Sequence, residues 1–171
     1  MLKDLLTPQD CAKCRFCCSF KKRSLWELYV LSTSEMENLR KKYPEVQFKY
    51  VKRNNCAGYI ADMENNYKTD DEEIPCPFNK NGCILGDDKP FECAVWPFSA
   101  MKLANKIVVA FCKDCPIFAK KSFKEIESLL ESGLAEKILN YSQKFPAYIK
   151  DYRENYHVCE KFFVNLPHES I

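Results

Sequence analysis

Cys11-Ala12-Lys13-Cys14-Arg15-Phe16-Cys17-Cys18 places four thiols in one short stretch, and its reading decides what kind of fold the chain builds. Three more groups follow: Cys76-Pro77-Phe78 with Cys83, Cys93 ahead of Trp96-Pro97-Phe98, and Cys112-Lys113-Asp114-Cys115-Pro116. Thiols at this density build either a sulfur-ligated metal site or a disulfide framework. Adjacent Cys17 and Cys18 suit a metal better than a set of bridges, and eleven cysteines would leave one thiol over in an oxidised protein. The opening Met1-Leu2-Lys3-Asp4-Leu5-Leu6-Thr7-Pro8 has no apolar signal core and no small-residue cleavage site. No apolar run is long enough to cross a bilayer. A reduced, cytoplasmic protein without a membrane partner is expected.

Spacing then bears on which metal. A lone tetrahedral zinc takes one C-x-x-C pair and a second pair from elsewhere. Cys11, Cys14 and Cys17 instead recur at equal three-residue steps, as in the bacterial ferredoxin run that wraps a cuboidal cluster. The expected cofactor is an iron–sulfur cluster, one or two of the [4Fe-4S] type, with zinc as the alternative. In an extended segment neighbouring side chains point apart, so Cys17 and Cys18 are expected to serve different sites. The candidate ligands are Cys11, Cys14, Cys17, Cys18, Cys76, Cys83, Cys93, Cys112 and Cys115, one more than two four-thiolate sites need. The N-terminal and middle groups must therefore converge, with Cys112 or Cys115 completing one site. Cys56 and Cys159 read as small buried hydrophobes lying apart. His157 and His168 are far from every thiol group in sequence, and nothing suggests a triad, so no catalytic residue is named.

Composition narrows the partners. The 171 residues suit a single domain over 1–171, with a cysteine-cluster region at 1–118 and a helical region at 119–171. A net charge of +2 predicts no nucleic-acid partner. Four glycines leave no phosphate-binding loop. A protein partner in electron transfer or cofactor maturation is expected, with Trp96, Phe98 and Lys21-Lys22-Arg23 as candidates for the docking face.

The pattern predicts an α+β fold: a small, cysteine-rich, metal-stapled domain with short strands, a loop-rich centre and a C-terminal helical pair. Leu25 to Leu31 reads as a buried strand or extended segment. Ser32-Thr33-Ser34 starts a helix with a capping box at Ser34 and Glu37, and Pro44 ends it. Strands are expected at Val46–Tyr50 and near Cys56–Ala61, followed by a polar loop from Asp62 to Glu73. Pro75, Pro77, Pro90 and Pro97 exclude a long helix in the centre. Ile107–Phe111 should pair with Ser99–Leu103 across Ala104-Asn105. Ser122 and Glu125 cap a helix whose apolar face holds Phe123, Ile126, Leu129, Leu130, Leu134 and Ile138. A second helix is expected from Pro146, with a stripe of Tyr148, Ile149, Tyr152, Tyr156, Cys159 and Phe163.

The order Cys11-x-x-Cys14-x-x-Cys17-Cys18, Cys76-Pro77-Phe78 with Cys83, then Lys89-Pro90 with Cys93 and Pro97-Phe98 resembles the YkgJ-type cysteine-cluster family. The resemblance covers about residues 8 to 116. It implies a zinc- or iron-chelating domain whose ligands are these cysteines. Members commonly carry Arg where this chain has Lys89 and Ala94, departures that leave the thiols intact. Flagellin lysine-N-methylases share a similar motif in a longer chain, which makes a fragment of such an enzyme a further alternative.

Overall fold

A computed structural model describes residues 16–21, 26–67 and 73–166. At its centre is the hairpin expected from the sequence: β5 (Phe98–Leu103) and β6 (Lys106–Cys112) pair antiparallel through Ala104-Asn105. Ala104 takes a positive φ of 51° to close that turn. A short β7 (Lys150–Asp151) lies parallel to β5, and β8 (Tyr156–Asn165) runs antiparallel to β6, giving the order β7-β5-β6-β8. Residues of β6 alternate between two apolar clusters, as the period of two requires. Ile107, Val109 and Phe111 enter the main core, while Val108, Ala110 and Cys112 join Met101 and Tyr156 on the other face.

Two smaller ladders stand before this sheet in sequence. β1 (Ser19–Lys21) pairs with β4 (Glu73–Pro75), and β2 (Phe48–Arg53) pairs with β3 (Cys56–Ala61), all antiparallel. Helix α1 (Thr33–Lys42) precedes β2, and a one-turn helix α2 (Met63–Asn66) follows β3. Five-residue α3 (Phe91–Val95) carries Cys93, with Glu92 and Val95 buried on either side. Helices α4 (Phe123–Leu129) and α5 (Ala135–Lys144) are joined by a wide turn at Leu130–Leu134, where Gly133 sits at φ 98°. Ile126, Leu130, Leu134 and Ile138 cover the main core from this arm.

Several expectations are corrected. The second C-terminal helix does not form: Pro146 opens a single 3-10 turn, and half of the expected stripe, Tyr156, Cys159 and Phe163, belongs to β8. Strand pairing won because β6 offered an open edge and Tyr156–Asn165 is rich in aromatic and β-branched residues. A register shift in the β6–β8 ladder hid the period of two. Tyr156 and Val158 face one cluster, whereas Phe162 and Val164 face the other. The observed class is α+β with short strands and one C-terminal helical arm. Phe123 lies at the surface, 64% exposed, rather than in the core.

The capping box of α1 also shifts. Ser32, not Ser34, caps the helix, and Glu35 answers it. The sequence offers both S-x-x-E pairs, and tertiary contacts select the first. Glu35 also accepts from the Phe91 amide at 2.8 Å and the Tyr141 hydroxyl at 2.8 Å, tying three elements together. The box at Ser122 and Glu125 forms as read. The 62–73 loop contains α2, whose first turn is capped by the buried Asp62. Leu28, Val30 and Leu31 are buried, as the apolar run predicts, but they form no strand beyond a single bridge from Leu31 to Tyr59.

That bridge needs a glycine opposite it. A Cβ built on Gly58 would lie 2.4 Å from Val30 Cγ1 and 3.3 Å from the Leu31 carbonyl. Val30 is buried and β-branched, so it has little freedom to move aside. Gly58→Ala is expected to cost about 1–3 kcal/mol by overpacking, measured by denaturant unfolding. A neutral effect would show that segment 26–31 does not press on β3.

Candidate functional site

The N-terminal thiols reach the middle group through backbone pairing. In the β1–β4 ladder Ser19 lies opposite Pro75, Phe20 opposite Ile74 and Lys21 opposite Glu73. Phe20 and Ile74 are buried and anchor this pair to the main core. One step further, the Cys76 amide donates to the Cys18 carbonyl at 2.7 Å. Two cysteines far apart in sequence thereby become neighbours.

A cavity of about 460 Å³ opens at this junction. Cys17, Cys18, Cys76, Cys83 and Cys93 all line it, so the structure brings together five of the nine expected ligands. Its remaining wall is mostly apolar, including Leu28, Leu39, Met63, Phe78 and Trp96, with Lys89 and Asp87 among the few charged groups. Cys11 and Cys14 lie outside the described residues. Cys112 and Cys115 do not line the cavity. Cys112 is buried in the second cluster beside Tyr156, and Cys115 is buried in the main core. Cys56 and Cys159 pack at the edge of the main core, away from the cavity lining, as expected.

Local geometry corrects the reading of the adjacent pair. Residues Phe16–Cys18 form a 3-10 turn instead of an extended segment. Successive side chains on such a turn are about 120° apart. The Cys17 and Cys18 sulfurs accordingly approach to 3.9 Å and can serve one site. Around the pair, the Tyr29 hydroxyl donates to the Cys17 carbonyl at 2.9 Å. Tyr29 packs edge-on to Phe20 and Trp96, with ring centroids 5.3 and 6.4 Å away. Among the described residues, no three His, Cys, Asp or Glu side chains close on the space of a single ion.

The thiols differ in acidity. A hydrogen bond from the Cys17 thiol, aided by the Lys89 charge, brings Cys18 down to about 7 against the opposing effect of burial. Burial pushes Cys76 up to about 12, despite a hydrogen bond from the Phe78 backbone. Desolvation, with Cys76 and Glu92 nearby, holds the Cys93 thiol well above the usual range. Desolvation also raises Cys112 and takes Cys159 to about 11.

Two groups escaped the sequence reading. Glu92, directly before Cys93 in the chain, forms an ion pair at 2.6 Å with Lys150, and each is 2% exposed. A lysine followed by aspartate reads locally as a solvated pair and carries no signal of burial. Tyr29 was read only as part of an apolar run, and its hydroxyl contact depends on tertiary placement. Phe98, a candidate for docking, is fully buried, while Trp96 is half-buried on the cavity wall. Lys22 and Arg23 lie outside the described residues.

In reduced protein treated with a chelator, iodoacetamide should modify Cys18 ahead of Cys76 and Cys93, with its rate rising through about pH 7, because the thiolate is the reacting form. Peptide mapping over a pH series checks this; equal labelling of Cys18 and Cys76 at pH 8 would contradict the assigned environments. Compared with known proteins, the sequence matches no family model and no curated protein, and no solved structure matches it.

Proposed function

We propose that this chain is a thiolate-ligated metal protein whose cavity takes an iron–sulfur cluster, and that it serves electron transfer or cofactor handling for a protein partner in a reduced, cytoplasmic setting. The observation that carries the reading is the meeting of five thiols, from three separate segments, on one mostly apolar cavity. An all-sulfur donor set suits zinc or iron–sulfur chemistry and disfavours hard cations such as magnesium or calcium. Cys11 and Cys14 belong to the proposed ligand set through their spacing with Cys17. Cys112 and Cys115 lie off this cavity and are not assigned to it. Of the cysteine order that resembles the YkgJ-type family, Cys17, Cys18, Cys76, Cys83 and Cys93 line the cavity.

An iron–sulfur cluster bound there would supply one-electron chemistry. Each wall has a part in that. Leu39, Met63 and Phe78 keep bulk water from the sulfurs, and the Lys89 ammonium offers positive charge against thiolate. The half-buried Trp96 and the exposed Phe16 beside it, 6.5 Å between ring centroids, give this side of the molecule an aromatic edge. One observation favours the second reading, a structural zinc. Tetrahedral zinc with sulfur at about 2.3 Å sets neighbouring sulfurs about 3.8 Å apart, and the Cys17–Cys18 separation is 3.9 Å.

Purification without oxygen, followed by metal and acid-labile sulfide analysis, separates the two. Brown protein with iron and sulfide in similar amounts is the expected result. Colourless protein carrying zinc moves the conclusion to the second reading, and protein that takes up neither metal overturns both. Cys18→Ser and Cys93→Ser are each expected to lower bound metal and destabilise the fold, since ligation and folding are coupled. Cys159→Ser should leave metal content unchanged.

A further inference from the structure

Segment 26–31 runs along one wall of the cavity and touches two of the thiol-bearing segments through successive residues. Tyr29 donates its hydroxyl to the carbonyl of Cys17 at 2.9 Å. The next residue, Val30, donates its amide to Glu92 Oε2 at 3.0 Å. Glu92 lies on α3 directly before Cys93. Its other oxygen meets Lys150 Nζ at 2.6 Å, and that ammonium sits over the rings of Trp26 and Tyr29, 5.1 and 5.4 Å from their centroids. Leu31 closes the segment by exchanging backbone bonds with Tyr59 at 2.7 and 2.9 Å.

We propose that segment 26–31 is a strap that sets the Cys17–Cys18 turn against the helix bearing Cys93, with Tyr29 and Glu92 as its positioning residues. The argument is one of direction. A buried ion pair is weak evidence of stability, because desolvation offsets most of its attraction. Its geometry is still demanding: each Glu92 oxygen has a different partner, so the carboxylate fixes the strap, α3 and β7 relative to one another. Tyr29 then transmits that position to the Cys17 carbonyl. Hydrogen bonds that orient the groups around ligating residues matter nearly as much as the ligands themselves. The inference deepens the proposed metal-binding reading and rests on it for its metal-release arm.

Tyr29→Phe tests this with the smallest change, keeping the ring against Phe20 and Trp96 and deleting one hydroxyl. In metal-free protein, hydrogen exchange at the Cys76 amide, which donates to Cys18, should quicken about fivefold, the effect of losing one hydrogen bond. Amides in the β5–β6 hairpin should exchange as in the parent. In protein holding the metal with which the parent purifies, release to a chelator should quicken about tenfold, typical of losing an outer contact of a ligand. The double variant Glu92→Gln, Lys150→Met removes the charges together and should also speed release; it carries the same readouts if Tyr29→Phe does not fold. Parental exchange at Cys76 and parental release in a folded variant overturn the strap. If the parent takes up no metal, the metal reading falls by itself, and the exchange measurement alone decides: quickened exchange at Cys76 upholds the strap, and unchanged exchange overturns it.

Discussion

The hydrogen bond from the Cys76 amide to the Cys18 carbonyl, 2.7 Å long, is the contact on which the thiol arrangement depends. It extends the β1–β4 ladder by one step, just where both strands give way to cysteines. The ladder is only three residues long, and a two-stranded ribbon of that length has little stability of its own. Its hold comes from the opposed pair Phe20 and Ile74, 5% and 1% exposed, which commit it to the main core. Apolar burial thus sets a register, and the register sets where two sulfurs lie. Cys83 and Cys93 then need only enter from the loop and the short helix that follow.

Two carboxylates do the rest of the alignment, and they do it differently. Glu35 gathers the start of α1, the start of α3 and Tyr141 of α5. Among the described residues its contacts are hydrogen bonds to the Ser32 and Phe91 amides and to the Ser32 and Tyr141 hydroxyls. Glu92 is buried with a cation, an arrangement that constrains more and forgives less. Removing one partner of such a pair typically costs about 3–5 kcal/mol, because the other charge is left in a medium that cannot solvate it. Both carboxylates act on α3, a helix of five residues with no side-chain cap of its own. So short a helix cannot hold its own position, and the polar contacts at Glu35, Glu92 and Val30 supply what its length does not.

What could be read from the sequence follows from how local the signal was. The β5–β6 hairpin, the β3 strand and the Ser122 cap were legible because alternation, turn and cap chemistry are written within a few residues. Residues Tyr156–Asn165 misled for a physical reason: the shifted register moves side chains from one face to the other partway along the strand, and no single period survives. The choice of Ser32 over Ser34 was settled by Phe91 and Tyr141, both distant in sequence. For the site, spacing named the thiols that line the cavity but also assigned Cys112 and Cys115 to it, and both lie in apolar clusters instead. Their C-x-x-C spacing looks the same whether it faces a shared site or a core. Glu92 and Lys150 were illegible for the same reason, since burial of a charge is decided by what surrounds it.

The adjacent cysteines show how backbone form controls chemistry. Extended backbone would have sent the Cys17 and Cys18 sulfurs to opposite faces, dividing them between sites. The 3-10 turn sets them 3.9 Å apart on one side, and the Cys17 thiol supports a thiolate on Cys18 at near-neutral pH. Cys76 and Cys93, set deeper in the apolar wall, keep their protons. The cavity therefore joins one readily ionised sulfur at the turn to protonated thiols behind it. On the proposed reading, a thiophilic cation would meet an anionic first ligand and would have to displace protons from the rest, so its binding would be coupled to proton release. Lys89, on the same wall, adds positive charge in favour of that thiolate. The larger cause is the neighbouring Cys17 thiol, so the first anionic sulfur forms where the turn sets two thiols side by side.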